Sequence, residues 1–453
     1  MCAIVPGGRT RVSVAWMETT RSGRPALALA VLCTAQFVDV MGVTVVVVAL
    51  PTMRTDLAAT ASQVQLVVSV YAFLFGCLLL AGGRAADRWG RLRLFRGGLA
   101  GFGVASLVCA VAPSAEVLIA GRAVQGASAA AIVPAALALV TETFTGDAER
   151  RRALAVWTAA GAGGGALGLF AGGLVTDLVG WRWIFVANVP LVLFSVLLAG
   201  RCLPPDSPAA GGRGALVPRG VLTLPLAVAC GVAFVNTATT SSAGTLVALH
   251  GQDVERLGPL AAGLLLLPFS LSVVAGSAVG ARLLGALGPR SAAAGLATIA
   301  AGIGCCAVAV GLSGAAAVAL LAIGVTVSGT GLGVAAVAST ATGTSGVPPA
   351  HLGVASGMIN TATQLGTAVG TASLLGLADA VARSSGGAGG AGSAAALTAG
   401  HRAAFVTAVL LALVAAAVTA AALRRGRGAD VTHAAPGGTP DAVTTGRGAS
   451  SGG

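Results

Sequence analysis

Residues 82–95 read GGRAADRWGRLRLF, four arginines and one aspartate packed into fourteen positions of a chain that is otherwise starved of charge. On the N-terminal side lies an apolar run at 63–83 and on the C-terminal side another at 95–112, each long enough to cross a bilayer. The segment is therefore a short charged hairpin between two membrane-spanning helices. Extending outward, the 453 residues are 56% hydrophobic and only 9% charged, with 67 glycines and a mean hydropathy of +0.90. Soluble domains carry about 25% charged residues, so this composition excludes an ordinary soluble protein. Apolar runs recur at 26–50, 63–83, 95–112, 115–141, 153–177 and 184–203. A second set follows at 220–249, 259–281, 291–312, 314–342, 352–379 and 402–423.

The expected architecture is all-α and integral to the membrane, with 12 transmembrane helices in two pseudo-symmetric six-helix bundles. The domain plan is a cytoplasmic tail at 1–25, an N-terminal bundle at 26–203, a linker at 204–219, a C-terminal bundle at 220–423 and a disordered tail at 424–453. A shift of 198 residues lays GGRAADRWGR (82–91) on GARLLGALGP (280–289), with Arg84 over Arg282 and Gly90 over Gly288. Paired halves of this kind belong to transporters that rock one half against the other.

The net charge of +12 is sorted by side. The tails and even-numbered loops hold 21 arginines, the opposite loops five, and Arg122 lies within a helix. This asymmetry predicts both termini in the cytoplasm of a plasma-membrane protein and makes the basic balance a matter of topology, with no nucleic-acid partner implied. No lysine occurs, which excludes a Walker A phosphate loop and thus an ATP-driven pump; the expectation is no cofactor, a proton gradient as the energy source and a monomer in lipid. Eight cysteines show no metal spacing and read as small packing residues, and Met17, preceding ETTRSGRP, is an alternative start. HExxH, GxSxG and metal-spaced histidines are missing, so the chain is not expected to be an enzyme.

Polar residues inside the apolar runs are the functional candidates, because a charge at the bilayer centre costs several kcal/mol. Asp39 lies about 17 Å below one end of helix 1, and Arg122 about 10 Å below the same-side end of helix 4. If those helices adjoin, an Asp39/Arg122 pair forms, with the carboxylate able to load and release a proton. Gly164, Gly168 and Gly172 are spaced i, i+4, i+8, so that another helix can approach closely; Asn360 and Gln364 share a helix face and either line a substrate path or bond between helices. Trp181 and Trp183 suit an interfacial belt.

The 82–95 hairpin resembles the major facilitator superfamily signature G-x-L-A-D-R-x-G-R-R, matched at Gly83, Asp87, Arg88, Gly90 and Arg91. The resemblance implies that this loop, including Arg84, latches the two halves and gates the conformational change. LIAGRAVQGASAAA (118–131) is similar to the helix 4 motif, in which the arginine and following Gln-Gly, here Arg122, Gln125 and Gly126, face the central cavity and take part in proton coupling. Within the superfamily the chain resembles the drug/proton antiporter group of the EmrB/QacA type, through WRWIFVANVP (181–190), LGPLAAGLLLLPFS (257–270) and GVASGMINTATQLGTAVG (353–370), and a matching Tyr71. Two departures stand out. In D-x-T-x-V-N-V-A-L-P, Gly42 replaces the aspartate and Val47 the asparagine. In G-x-x-x-G-P-x-x-G-G, Gly164, Gly168, Gly172 and Gly173 match while Leu169 replaces the proline.

The resemblance implies export of a small hydrophobic or amphipathic drug or secondary metabolite by proton antiport, with Asp39 and Arg122 in coupling and Gln125, Tyr71, Asn360 and Gln364 as cavity candidates. The 4% aromatic content argues for an apolar, adaptable ligand surface over a cage for dications. A facilitator of small polar solutes, or a non-transporting scaffold or sensor that has lost coupling, are the competing expectations.

Overall fold

The computed structural model describes residues 25–206, 221–345, 347–348, 352–385 and 393–432. The described residues form α-helices and one 3-10 turn. The first half holds α1 (Pro25–Asp56), α2 (Ala61–Trp89), α3 (Arg91–Ala110), α4 (Ala115–Thr143), α5 (Asp147–Leu178), α6 (Arg182–Val186) and α7 (Asn188–Cys202). The second holds α8 (Leu224–Asp253), α9 (Pro259–Leu287), α10 (Ser291–Ala309), α11 (Ala315–Thr344), α12 (Leu352–Ser385) and α13 (Ala394–Thr432). Among the described residues, eleven helical stretches are long and apolar enough to cross a membrane; one of them, Pro259–Ala309, is α9 and α10 joined through the 3-10 turn Gly288–Arg290. Counting those two apart, and α6 with α7 as one broken crossing, gives the expected twelve.

Helix ends follow local chemistry. Thr60 and Gln63 form a reciprocal capping box on α2, and Thr223 accepts from the Leu226 N–H on α8. Gly90 (φ +104°) separates α2 from α3, and Gly288 (φ +57°) ends α9; these are the two glycines that the 198-residue shift superposes. A left-handed backbone at both places is the structural core of that weak sequence echo, since only glycine adopts it without strain. The packing repeats as well: α1 lies on α5 as α8 lies on α12, α2 on α4 as α9 on α11, and α3 on α4 as α10 on α11. Each half buries its own apolar core, with Phe95, Phe102 and Leu139 in the first and Leu296, Ile303 and Phe405 in the second. Large apolar side chains such as Val104, Leu197, Leu410 and Val414 point outward, the arrangement of a multi-pass membrane protein facing lipid.

The halves meet through α2 with α12, α5 with α9, and α1 with α8. On the face where α1 ends, hereafter the far face, Gln252 Nε2 donates to Val48 O at 3.0 Å and Val48 sits in the core of the second half. Leu169 inserts there too, its carbonyl oxygen 2.4 Å from a Cβ built on Gly263 of α9. The face where α1 begins and α13 ends is the near face.

Three local expectations change. Trp181 is 2% exposed, because its indole N–H reaches Asp56 at the end of α1 (2.9 Å) while Arg182 stacks on it; Trp183 alone faces outward. The sixth crossing begins earlier than expected and breaks at Ala187 between α6 and α7. The last helix runs to Thr432, into the stretch expected to be disordered. Residues 1–24, most of the linker (207–219) and 433–453 lie outside the described residues.

Candidate functional site

Four helices of the first half assemble one buried polar network. Arg122, fully buried on α4, donates from Nε to Val67 O of α2 (3.1 Å), and from Nη1 to Gly42 O of α1 (3.1 Å) and Gln125 Oε1 (2.8 Å). Its guanidinium also lies over the Tyr71 ring, 4.3 Å from the centroid, a favourable cation–π arrangement in a desolvated place. Carbonyls of two different helices thus hold a charge that water would hold elsewhere. The side chain turns inward and none of it is exposed, so the guanidinium does not snorkel toward the headgroups.

Asp39 is brought to the same place but not into direct contact. Tyr71 OH donates to Asp39 Oδ1 at 2.5 Å, so the phenol stands between carboxylate and guanidinium. The expected two-member pair is a three-member relay, Asp39–Tyr71–Arg122, because the Tyr71 side chain of α2 reaches in between the carboxylate and the guanidinium. Gln125 continues it on the other side, donating from Nε2 to Ser106 Oγ of α3 (2.8 Å), which in turn donates to Phe102 O (2.8 Å). Arg122 Nη2 is the one guanidinium nitrogen left without a partner among the described residues, a buried donor available to a carboxylate or ligand. Glycines make these approaches possible. A Cβ on Gly126 would lie 2.3 Å from Tyr71 O, and one on Gly82 would lie 1.9 Å from Ala130 O, both at the α2–α4 crossing.

At the near face the charged hairpin is built around Gly90. Arg91 reaches Asp87 and Glu142 of α4, each at 3.4 Å; Arg84 is also engaged, while Arg88 is exposed and Gly83 packs over Pro134. The unexpected member is Asp206, four residues past α7. Its carboxylate accepts from the N–H groups of Leu92 (2.7 Å) and Arg93 (3.2 Å) and lies 3.6 Å from Arg93 Nε. A carboxylate at a helix N-terminus satisfies orphan donors and complements the dipole. Any Cβ at position 90 would fall 2.3 Å from that carboxylate carbon, a second reason for glycine there besides the left-handed backbone. Across the halves, Leu80 of α2 packs on Gly357 of α12.

The α5 glycines divide their work. Gly164, Gly168 and Gly172 seat α1, with built Cβ atoms 2.7 Å from Phe37 O, 2.1 Å from Thr44 Oγ1 and 2.7 Å from Val45 Cγ2; Gly173 instead seats α9, 2.6 Å from Pro259 O. Gln364 lies at the α2–α12 seam, its Cβ 3.0 Å from one built on Gly76, and Asn360 is half-buried one turn away. The two do not join the Arg122 network. Sequence reading missed Ser106 and Asp206, and also Gln36 on α1, half-buried with its Oε1 unpartnered. A polar atom in an apolar run flags Ser106 and Gln36, whereas Asp206 stands in the proline-rich linker and carries no such signal. Of the polar stripe on α8, Thr239, Thr240, Ser242 and Thr245 donate to their own helix, and Thr237 also to Thr363 O of α12 (2.6 Å).

The family model of the Major Facilitator Superfamily matches residues 32–371. Among similar proteins are the puromycin resistance protein pur8 of Streptomyces alboniger, 46% identical over 39% of this chain and 35% of that one, and the cephamycin export protein CmcT of Amycolatopsis lactamdurans, 41% identical over 41% and 38%. The multidrug efflux pump LfrA of Mycolicibacterium smegmatis is 37% identical over 41% of this chain and 37% of its own. The chain thus spans between a third and two-fifths of the length of these relatives in the matched region. Solved structures share the fold: a bacterial homologue of the human lysosomal transporter Spinster has a TM-score of 0.69 at 18% identity, covering 88% of this chain and 96% of that one. The nucleoside transporter NupG has a TM-score of 0.68 at 12% identity, over 88% and 100%. With the signature hairpin built at the near face and two like bundles of membrane helices behind it, the chain belongs to the Major Facilitator Superfamily.

Proposed function

We propose that the chain is a secondary transporter of the plasma membrane, acting as a monomer, that exports a small hydrophobic or amphipathic drug or secondary metabolite in exchange for protons. The observation that carries this reading is the Asp39–Tyr71–Arg122 relay: an acid 6% exposed, hydrogen-bonded to a phenol that itself covers a buried guanidinium. A proton taken up by Asp39 removes the negative charge that balances Arg122 through Tyr71, so the guanidinium is left to backbone carbonyls, Gln125 and the ring. Loss of that balance inside a low-dielectric bundle is the kind of change that favours a rearrangement of α1 against α2 and α4.

The near face is cytoplasmic in this reading, on the arginine asymmetry. The far face, where the halves close through Gln252, Val48, Gly173 and Pro259, is then external. Alternating access consists of opening that seam while the hairpin at Gly83, Arg84, Asp87, Arg88, Gly90 and Arg91 latches the near face. Substrate meets an apolar path with sparse polar anchors, Gln36, Asn360 and Gln364 among them. The names of the relatives favour export over uptake of polar solutes, and the α8 hydroxyls, largely committed to backbone carbonyls, offer little to such a solute.

The test is proton movement in everted vesicles when candidate compounds, beginning with puromycin-like and multidrug-pump substrates, are added. Compound-dependent proton efflux that disappears in Asp39→Asn supports antiport. Compound uptake with no proton movement, or an Asp39→Asn variant that still exchanges protons at the native rate, would overturn it.

A further inference from the structure

Two histidines 151 positions apart meet inside the second half. His250 lies three residues before the end of α8, and His401 in the second turn of α13. Their Nδ1 atoms are 3.1 Å apart, the rings cross at 73° with centroids 5.3 Å apart, and exposures are 0% and 5%. At that distance one nitrogen donates and the other accepts, so the two rings hold opposite tautomers and share one proton along the line between them. His250 lies behind, and its Nε2 is buried with no partner among the described residues. His401 lies in front and lines a cavity of about 60 Å³ between the halves at the far face, room for one or two waters.

The surroundings of the pair are polar on one side only. The polar residues that line the cavity with His401 are Arg54 of α1, Gln65 of α2, Asp253 of α8 and Asp379 of α12. Asp379 is ion-paired to Arg383. Glu255 and Arg256 follow α8, Glu255 accepting from the Gly314 N–H at 3.0 Å, and Arg402 neighbours His401 on α13 but is exposed. The helices α10 and α11, which pack on α13 and α8, carry no charged side chain.

We infer that His250 and His401 form a proton-binding site of the second half, loaded from the far-face cavity and holding one proton per pair. In the neutral pair, His401 Nδ1–H donates to His250 Nδ1. A proton arriving from cavity water adds to the lone pair of His401 Nε2, giving an imidazolium whose Nδ1–H···N bond to His250 is kept and strengthened by the charge. Transfer along that bond moves the positive charge to His250 and leaves His401 neutral, with Nε2–H and its Nδ1 now accepting from His250 Nδ1–H. A second proton would put hydrogens on both Nδ1 atoms and break the contact, so uptake stops at one. The site's charge is delivered beside the seam that closes the far face, on a cavity lined by Arg54 of the other half and by Asp253 and Asp379, so loading it changes the charge balance at that closure.

The inference does not rest on the antiport reading, and its test counts protons in the resting protein. The full-length chain carrying Asp39→Asn, purified in lipid nanodiscs, is acidified from about pH 8 to about pH 4 and the bound protons are counted against the same protein with His250→Gln and His401→Gln added. The expected difference is one proton. A difference of two means independent histidines, and a difference of none means a purely structural contact; either result overturns the proposal. Should the double variant fold poorly, nitrogen-15 NMR of imidazole-labelled protein with His250 and His401 intact decides. Resonances of two rings titrating together in one step support the site, while separate titrations or no titration overturn it.

Discussion

Gly126→Ala tests whether the network is held by backbone contact. The Cβ this substitution adds would lie 2.3 Å from Tyr71 O, against an ordinary contact of 3.4 Å, so α2 and α4 must part by the difference, about 1.1 Å. Neither atom belongs to a flexible side chain, and the strain cannot be absorbed by a rotamer change. Val67 O, one turn before Tyr71 on the same helix, accepts from Arg122 Nε at 3.1 Å, and a retreat of that size stretches the bond to about 4.2 Å, beyond hydrogen-bond range. Overpacking costs about 1–3 kcal/mol and loss of a hydrogen bond to a charged group about 1.5–3 kcal/mol, offset by about 0.5–1 kcal/mol from replacing a helical glycine. A net loss of about 2–5 kcal/mol, at about 2–4 °C per kcal/mol for a bundle of this size, lowers the apparent melting temperature by about 4–20 °C. Gly97→Ala is the control: nothing lies within 4 Å of its Cβ, so only the helix gain remains and the melting temperature rises by about 1–4 °C. Both are read from intrinsic tryptophan fluorescence in detergent at one fixed scan rate, since unfolding of such proteins is commonly irreversible. If Gly126→Ala melts with the wild type and transports normally, the helices are not in the contact described and the account of Arg122 falls with it.

Further outcomes follow from the same geometry. Asp39→Asn should abolish dependence of transport on the pH gradient, and adding Gly42→Asp should restore part of it, because Gly42 O already meets Arg122 at 3.1 Å and a Cβ there only touches the Phe102 ring at 3.4 Å; no recovery in vesicle assays would mean that the carboxylate must act through Tyr71. Asp206→Ala should lower the melting temperature by the worth of a helix cap, about 1 kcal/mol, and slow transport by loosening the hairpin; unchanged melting refutes the cap. Gly173→Ala sets a Cβ 2.6 Å from Pro259 O and should prevent closure of the far face, so a cysteine at Val48, in a chain otherwise free of cysteine, should gain reactivity toward a membrane-impermeant thiol reagent. Equal labelling in the two backgrounds would count against that seam.

Much of the fold could be read from the chain, because burial in lipid writes itself into local composition. Apolar runs, arginine sorting and the glycine spacing on α5 each depend on residues within one helix or loop. The site is different in kind. Tyr71 reaches Asp39 across 32 positions and Arg122 reaches Gly42 across 80, and no periodicity within α1, α2 or α4 says which helix lies between the others. The direct Asp39/Arg122 pair was the simplest arrangement compatible with depth along the helices, and depth was right; the lateral order was what spacing lacks. Trp181 failed for a related reason: tryptophan near a membrane end suits an interfacial belt, but Asp56, 125 positions away, offered its indole a partner. The histidines lay in unremarkable surroundings, and only the crossing of α8 and α13 brings them together.

The cap at Asp206 bears on modularity. Two-bundle carriers invite division into separately expressed halves, and the apolar pattern alone would place the cut at residue 203, where the sixth crossing ends. Such a cut would hand Asp206 to the wrong fragment and leave α3 uncapped in the other. A cut after 206 keeps the first half self-sufficient. Position 206 is thus the point at which the first bundle stops as a structural unit, four residues after its last helix has ended.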